Sequence, residues 1–452
     1  MTGSHTKEKP IHYIATLPGG GVTVLQTLAK ILLLEKLTGI DFLKLYSGGV
    51  IADSGSLYSL ALLECMDAQK ALETFIELAP DAFPKTSFFA HQTIRTRSRF
   101  TPTILHDRLD ELLGDRTLES LQHGFSAGVI NIEKDRSSRI AERIMVVPNL
   151  ETGEKHYPEG SSGNIRLKDV IKAGSSVPNV NPPVTIEGKK GKHLDPTIDQ
   201  NPALYGIELQ RENPLAALGM VSFGSYTPSS EKFSDLFNEL SARNFLDWIR
   251  GMIRQTYKKA EEHELIEKLL GVKVLDLCTE ISKDNKDHPR FNPIDSTSKQ
   301  LSRLCNSALN DIENRREEYL AHANALLKSY RIRHNLPEQE ELSNADFNAA
   351  LSKSREICEK AISSEKERTA EHQAQIDAHA SEIQASPKKT LANSFFAAAG
   401  RLASVGGAAI VQAAFTVVAL KATPAFSAAK KAEEMPPPPI LKTQHIGNRE
   451  VA

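Results

Sequence analysis

Between residues 10 and 210 the chain alternates short β-like runs with longer helical ones, and that alternation restricts the fold more than any other feature. IHYIATL, LYSGGVIA, AGVINIE and RIMVVPN read as strands, whereas VTVLQTLAKILLLEKL and LHDRLDELLG carry apolar residues at helical spacing. Strands separated by helices cannot pair as hairpins. They predict an α/β domain with a parallel sheet.

Beyond about residue 230 the strand signal fades, and charged stretches such as RLCNSALNDIENRREEYLAHANALLKSYRIRH predict a helical domain, broken and restarted at HNLPEQEELSN. The expected division is therefore residues 1–225 as the α/β domain, 226–390 as the helical domain, and 391–452 as an alanine-rich helical segment with a proline-rich tail. Residues 151–166, ETGEKHYPEGSSGNIR, read as a polar turn or loop. The tail EEMPPPPILKTQHIGNREVA is too polar and too rich in proline to pack. The uncharged stretch 402–420 would span roughly 28 Å as a helix, close to a bilayer core. Alanine and glycine dominate it and insert weakly, so a buried helical hairpin is the first expectation and membrane insertion the second.

A net charge of −2 argues against a general nucleic-acid binder, which needs a basic excess to displace counterions. The four cysteines, Cys65, Cys278, Cys305 and Cys358, are widely spaced without a CxxC pair, so no metal site or disulfide framework is expected, and a reducing compartment is. The first residues lack a signal-peptide pattern, which points to the cytoplasm, with peripheral attachment to a membrane as the variant. No cofactor is expected.

Two turns carry the chemistry. LPGGGVT lies between a strand and a helix, and three glycines there let a ligand approach backbone amides at a helix start, which suits an oxyanion or a phosphate. It is neither GxGxxG nor a P-loop. Residues 48–64, GGVIADSGSLYSLALLE, climb through an apolar run into DSGS and drop into a helix, the outline of a strand–turn–helix corner with Ser54 at its apex. Ser54 is thus either a nucleophile or a helix-start serine.

In their order and spacing these pieces resemble the patatin-like phospholipase family, whose pattern runs from an oxyanion loop of the type DGGGxRG to a nucleophile elbow GxSxG. Downstream, FPKTSFF, LDELLGDRTLESL and DVIKAGSSVPNVNPPVTI resemble its connecting segments, and HLDPTIDQNPALYGIEL stands where the family carries DGG or DGA and then NNPA. The resemblance covers residues 11–210. It implies a patatin-like three-layer α/β/α fold with a mainly parallel central sheet followed by an α-helical domain, an acyl hydrolase acting on membrane phospholipid or another lipid ester, Ser54 and Asp195 as a dyad, and Gly19, Gly20 and Gly21 as the oxyanion loop. A partner protein at the helical domain is a further expectation.

The departures fall on the same positions. Pro18 stands for the family's aspartate and Thr23 for its basic residue, Ala52-Asp53-Ser54-Gly55-Ser56 stands for GxSxG, and Pro196 and Thr197 replace the glycines after Asp195, with Asp199 as the fallback acid. An ungapped match of DSGSL to the family's SAGSL would instead put Asp53 at the nucleophile position, leaving a catalytically silent lipid- or protein-binding module. The literal GxSxG at 124–128, GFSAG, lies before a strand rather than after one, so Ser126 is read as a strand serine. His12, His123 and His193 are scattered and need no role.

Overall fold

The computed structural model describes residues 9–18, 21–82, 103–132, 139–176, 182–195, 202–226, 263–264, 266–280 and 296–385. The chain divides into two compact units, residues 1–83 with 88–366, and residues 84–87 with 367–452. In the second unit the described residues are 367–385, all helical.

Among the described residues the first unit has eight strands: β1 (Ile11–Leu17), β2 (Gly49–Ala52), β3 (Phe125–Ile132), β4 (Arg139–Pro148), β5 (Lys155–His156), β6 (Lys192–Leu194), β7 (Ala217–Tyr226) and β8 (Val274–Glu280). Their order is β5-β4-β3-β2-β1-β7-β8, with β6 beside β3. Pairings from β8 through β7, β1 and β2 to β3 are parallel, while β4 and β6 run antiparallel to β3, and β5 antiparallel to β4. The sheet is therefore mainly parallel, as the alternation of elements predicts.

Strand residues alternate between two separate cores. Ala15, Leu17, Val50, Ala52, Ile144, Val146, Val221 and Phe223 enter the larger one, and Ile14, Ile51, Met145, Val147 and Met220 the smaller. Helices α1 (Val24–Thr38), α2 (Phe42–Leu45), α3 (Ser56–Leu63), α4 (Ala68–Ala82), α5 (Thr103–Leu113) and α6 (Leu167–Gly174) supply side chains to the larger core. Helix α7 (Pro202–Glu212) closes the smaller core with Ala203, Tyr205 and Leu209. Helices thus cover both faces.

Helix α1 is enclosed almost all round, which is why its sequence reads VLQTLAKILLLEKLT rather than as an amphipathic stripe. Its single buried cation, Lys30, donates 2.7 Å hydrogen bonds to the Gly224 and Leu277 carbonyls, tying the helix to β7 and β8. The helix stops at Gly39, whose left-handed φ of 70° lets its amide reach the Glu35 carbonyl. The Glu35 carboxylate then accepts from the amides of Phe42 and Ala68, each at 2.9 Å, and so anchors the starts of α2 and α4.

Three helices of the later sequence, α8 (Ser298–Asn314), α9 (Arg316–Arg333) and α10 (Asn344–Ala385, up to Lys366 in this unit), add Leu301, Leu304, Tyr319, Leu326 and Phe347 to the larger core. The break expected at HNLPEQEELSN falls between α9 and α10. VLDLCTE, within the stretch read as helical, is instead β8. Its backbone completes a parallel ladder with β7 from Met220↔Val274 to Tyr226↔Glu280. A seven-residue strand flanked by charged sequence leaves little signal in that stretch, yet Leu277 and Cys278 are strand residues buried between layers.

Candidate active site

Two neighbouring parallel strands, β1 and β2, end level with each other, Leu17 opposite Ala52. The loops that follow them are pressed together: Asp53 N–H donates to the Leu17 carbonyl at 3.3 Å, and the Ser56 hydroxyl donates to the Pro18 carbonyl at 2.7 Å. Gly55 marks the closest approach. A Cβ at Gly55 would lie 2.8 Å from the Gly21 nitrogen and 3.1 Å from its Cα, so no larger residue fits without separating the loops. Gly21 itself has a φ of 58°. Gly19 and Gly20 lie outside the described residues.

Ser54 occupies the corner between β2 and α3 with a φ of 54°, one of two non-glycine residues with positive φ among the described residues. A left-handed serine costs roughly 1–3 kcal/mol and persists only where its surroundings enforce it. Here the apolar strand GVIA beneath and the first turn of α3 above do so, the Leu57 amide bonding the Ser54 carbonyl at 3.1 Å. The residue is 8% exposed, at the top of the sheet.

Register brings Asp195 to the same place. Along one edge of β3, β2 ascends as far as Ile51↔Ser126, while β6 descends from the other end as far as Ile130↔Leu194. The other edge of β3 is filled by β4. The residues that follow the two short strands, Asp53–Ser54 and Asp195, therefore converge on the gap opposite Ala127–Val129. Asp195 is fully buried, and its amide donates to the Ser176 carbonyl at 3.0 Å. Its charge is felt by Tyr58, one helical turn after Ser54. Burial foremost, with the Asp195 charge adding and the Ser175 hydroxyl opposing, pushes the Tyr58 phenol up to about 12. Among the described residues no hydrogen bond joins Ser54 Oγ to Asp195. Asp199 lies outside the described residues.

Asp53 precedes the corner, and its side chain goes to the smaller core. Its Oδ1 accepts from the Gly128 amide at 2.8 Å, and Arg143 Nη2 donates to both carboxylate oxygens at 3.1 and 3.2 Å. Ser126, on strand β3, is fully buried and accepts from Arg143 Nε at 3.0 Å. GFSAG is thus a strand segment whose serine and second glycine support the preceding elbow from behind.

The histidines are held elsewhere. His12 lies 3.1 Å from the Ser47 hydroxyl, and His123 contacts both the Glu64 carboxylate and the Gly124 carbonyl. His193 is fully buried in β6. Among the described residues no group of three His, Cys, Asp or Glu side chains could hold a metal ion, and no helix is long and apolar enough to cross a membrane. Residues 402–420 are outside the described set. All four cysteines are free thiols.

Tyr58 and Arg143 have no motif of their own, and sequence spacing does not single them out. The one signal was GFSAG, whose small residues mark a strand crossed closely by another side chain.

No protein-family model matches the chain, and no curated protein matches it. Among solved structures the chain is similar to the crystal structure of VipD from Legionella pneumophila, at 13% identity and a TM-score of 0.29, over 94% of this chain and 89% of that one. At that score the likeness transfers no residue role, and the chemistry of this site rests on its own geometry.

Proposed function

We propose that this protein is a patatin-type lipid acyl hydrolase in which Ser54 is the nucleophile and Asp195 the general base. The observation that carries the reading is the left-handed serine at a strand–helix corner, packed through Gly55 against Gly21 of the glycine loop. Convergence of the corner and Asp195 on one gap along β3 supports the pairing.

The chemistry follows from these parts. The Asp195 carboxylate takes the Ser54 proton as Oγ attacks the ester carbonyl, and backbone amides of the Gly19–Gly21 loop stabilise the oxyanion. The tetrahedral intermediate collapses with proton return to the departing alcohol, leaving an acyl-serine. Water, deprotonated by the same carboxylate, then releases the fatty acid and restores Ser54. No cofactor takes part. A membrane phospholipid is the substrate class, following from the patatin resemblance.

Vesicles of phosphatidylcholine with a labelled acyl chain test the proposal. Wild-type protein is expected to release fatty acid, and Ser54→Ala and Asp195→Asn to lose that release while remaining folded. Full activity in Ser54→Ala would remove the serine from the mechanism. A second reading, a silent fold that binds lipid or protein, draws on Pro18, Thr23, Pro196 and Thr197 at motif positions. It predicts vesicle binding or partner capture without acyl release.

A further inference from the structure

We propose that Arg143 is a positioning residue for the corner, acting across strand β3 through Asp53. The proposal deepens the hydrolase reading and rests on it for the consequence in rate. In register Arg143 on β4 faces Gly128 on β3, and Asp53 bonds the Gly128 amide from the opposite edge of that strand. Gly128 has no side chain to stand between them, so the guanidinium can reach across to the carboxylate. It donates through Nη2 to both Asp53 oxygens and through Nε to Ser126 Oγ.

Both members of the ion pair have side chains only 6% exposed. A planar fork held by three acceptor atoms on two elements has little rotational freedom, and a lysine could not reproduce it. Asp53 is covalently next to the strained Ser54. Fixing its carboxylate on one face of the sheet sets the peptide plane entering the corner and thereby turns the serine toward the other face, where Tyr58 and Asp195 lie. Buried ion pairs are often replaceable by apolar residues without loss of stability, so one that ties a strained corner to two strands is better accounted for by geometry than by energy.

The test separates presentation of residue 54 from its chemistry. Ser54→Cys places a thiol at the corner, and its alkylation by iodoacetamide, mapped by mass spectrometry, reports how that position is presented whether or not the chain hydrolyses anything. The rate is compared in this background alone, with Arg143→Lys, and with Asp53→Leu plus Arg143→Met, which removes both buried charges together. The expected result is a rate lowered about tenfold or more in the combined variant and less in Arg143→Lys, at a thermal midpoint near that of the parent. A folded combined variant alkylated within about twofold of the parent rate would overturn the proposal. Should the combined variant not fold, Ser126→Ala removes one Arg143 contact only: a rate lowered about threefold supports the proposal, and an unchanged rate overturns it. Acyl hydrolysis by the same substitutions with Ser54 in place should show a fall in kcat with KM held. If the wild-type chain hydrolyses nothing while the thiol still responds, the hydrolase reading fails and the positioning role stands. If hydrolysis occurs and the thiol does not respond, the reverse holds.

Discussion

The two faces of the sheet meet the corner in different ways. On the larger face α1, α3 and their neighbours bury an almost wholly apolar core, with Leu28, Leu32 and Phe125 fully enclosed. On the smaller face α7 and the helical residues Ile266 and Leu270 form the cover, the Asp53–Arg143 pair lies beneath the corner, and a cavity of about 870 Å³ opens beside Arg143, Met145, Leu204 and Ile207. Dispersion and area fix where an element sits without singling out the direction of any one polar group, whereas a forked ion pair is directional. The apolar face thus sets the position of the corner, and the polar face its orientation.

The largest expected effect lies between the faces. Ser54→Ala should lower acyl hydrolysis by on the order of a thousandfold or more, with no loss of stability. Ser54→Gly should be equally inactive yet more stable by about 1 kcal/mol, because the left-handed φ no longer costs strain. Vesicle hydrolysis and urea unfolding on the same samples check both.

Next come substitutions that divide the faces. Arg143→Met alone leaves Asp53 buried without its counter-charge and should cost about 3–5 kcal/mol. Leu32→Ala on the apolar face should cost about 2–5 kcal/mol through a cavity. The two differ in what survives: the folded fraction of the leucine variant should keep its kcat, and that of the arginine variant should not. Equal retention of kcat in both would erase the distinction between positioning and orienting.

Gly55→Ala probes the seam where the two loops touch. With the new methyl 2.8 Å from the Gly21 nitrogen, the loops must part. Activity should fall about a hundredfold against a stability cost of about 1–3 kcal/mol.

Acid acts more gradually. Burial holds His322, on α9, down to about 3, and burial together with Arg333 holds His12 down to about 4, against an ordinary 6.5. Being neutral when folded, both contribute stability present above 6.5 and lost as pH falls from there toward those values. His123 has the opposite sign. Burial opposes its charge, but the Glu64 carboxylate and the Gly124 carbonyl outweigh burial and raise it, so its contribution is full below 6.5 and lost as pH rises through the folded value. Urea unfolding at pH 7.5 and 5 should show lower stability in acid, with a smaller drop in His322→Gln.

Much of this arrangement is legible in the residues alone. IHYIATL is β1, all of RIMVVPN but its final Asn149 lies in β4, and VTVLQTLAKILLLEKL covers α1 up to its last residue, Thr38, because apolar period and small-residue turns are local signals. The Ser54 corner is legible too, since a run of small residues between strand and helix admits few other backbones. What escapes is long-range. Strand β6 is three residues long and pairs with β3 only because β2 stops short, so Asp195 is marked by the resemblance of HLDPTIDQNPALYGIEL to a family segment and by no local pattern of its own. Arg143 looks like a surface residue in ERIMVV until β3 presents a glycine opposite it. Ser126 and Gly128 imitate a motif because a strand crossed by an arginine also needs small residues.

The claim beneath all of this is that Ser54 is the residue presented for nucleophilic attack. Reaction of the full chain with a fluorophosphonate, followed by peptide mapping of the phosphonylated serine in wild type, Ser54→Ala and Ser126→Ala, tests it most directly. The account predicts a single adduct on Ser54, retained in Ser126→Ala and lost in Ser54→Ala. An adduct on Ser126, or an unmodified Ser54 under conditions that fully label a patatin-type hydrolase, would contradict it.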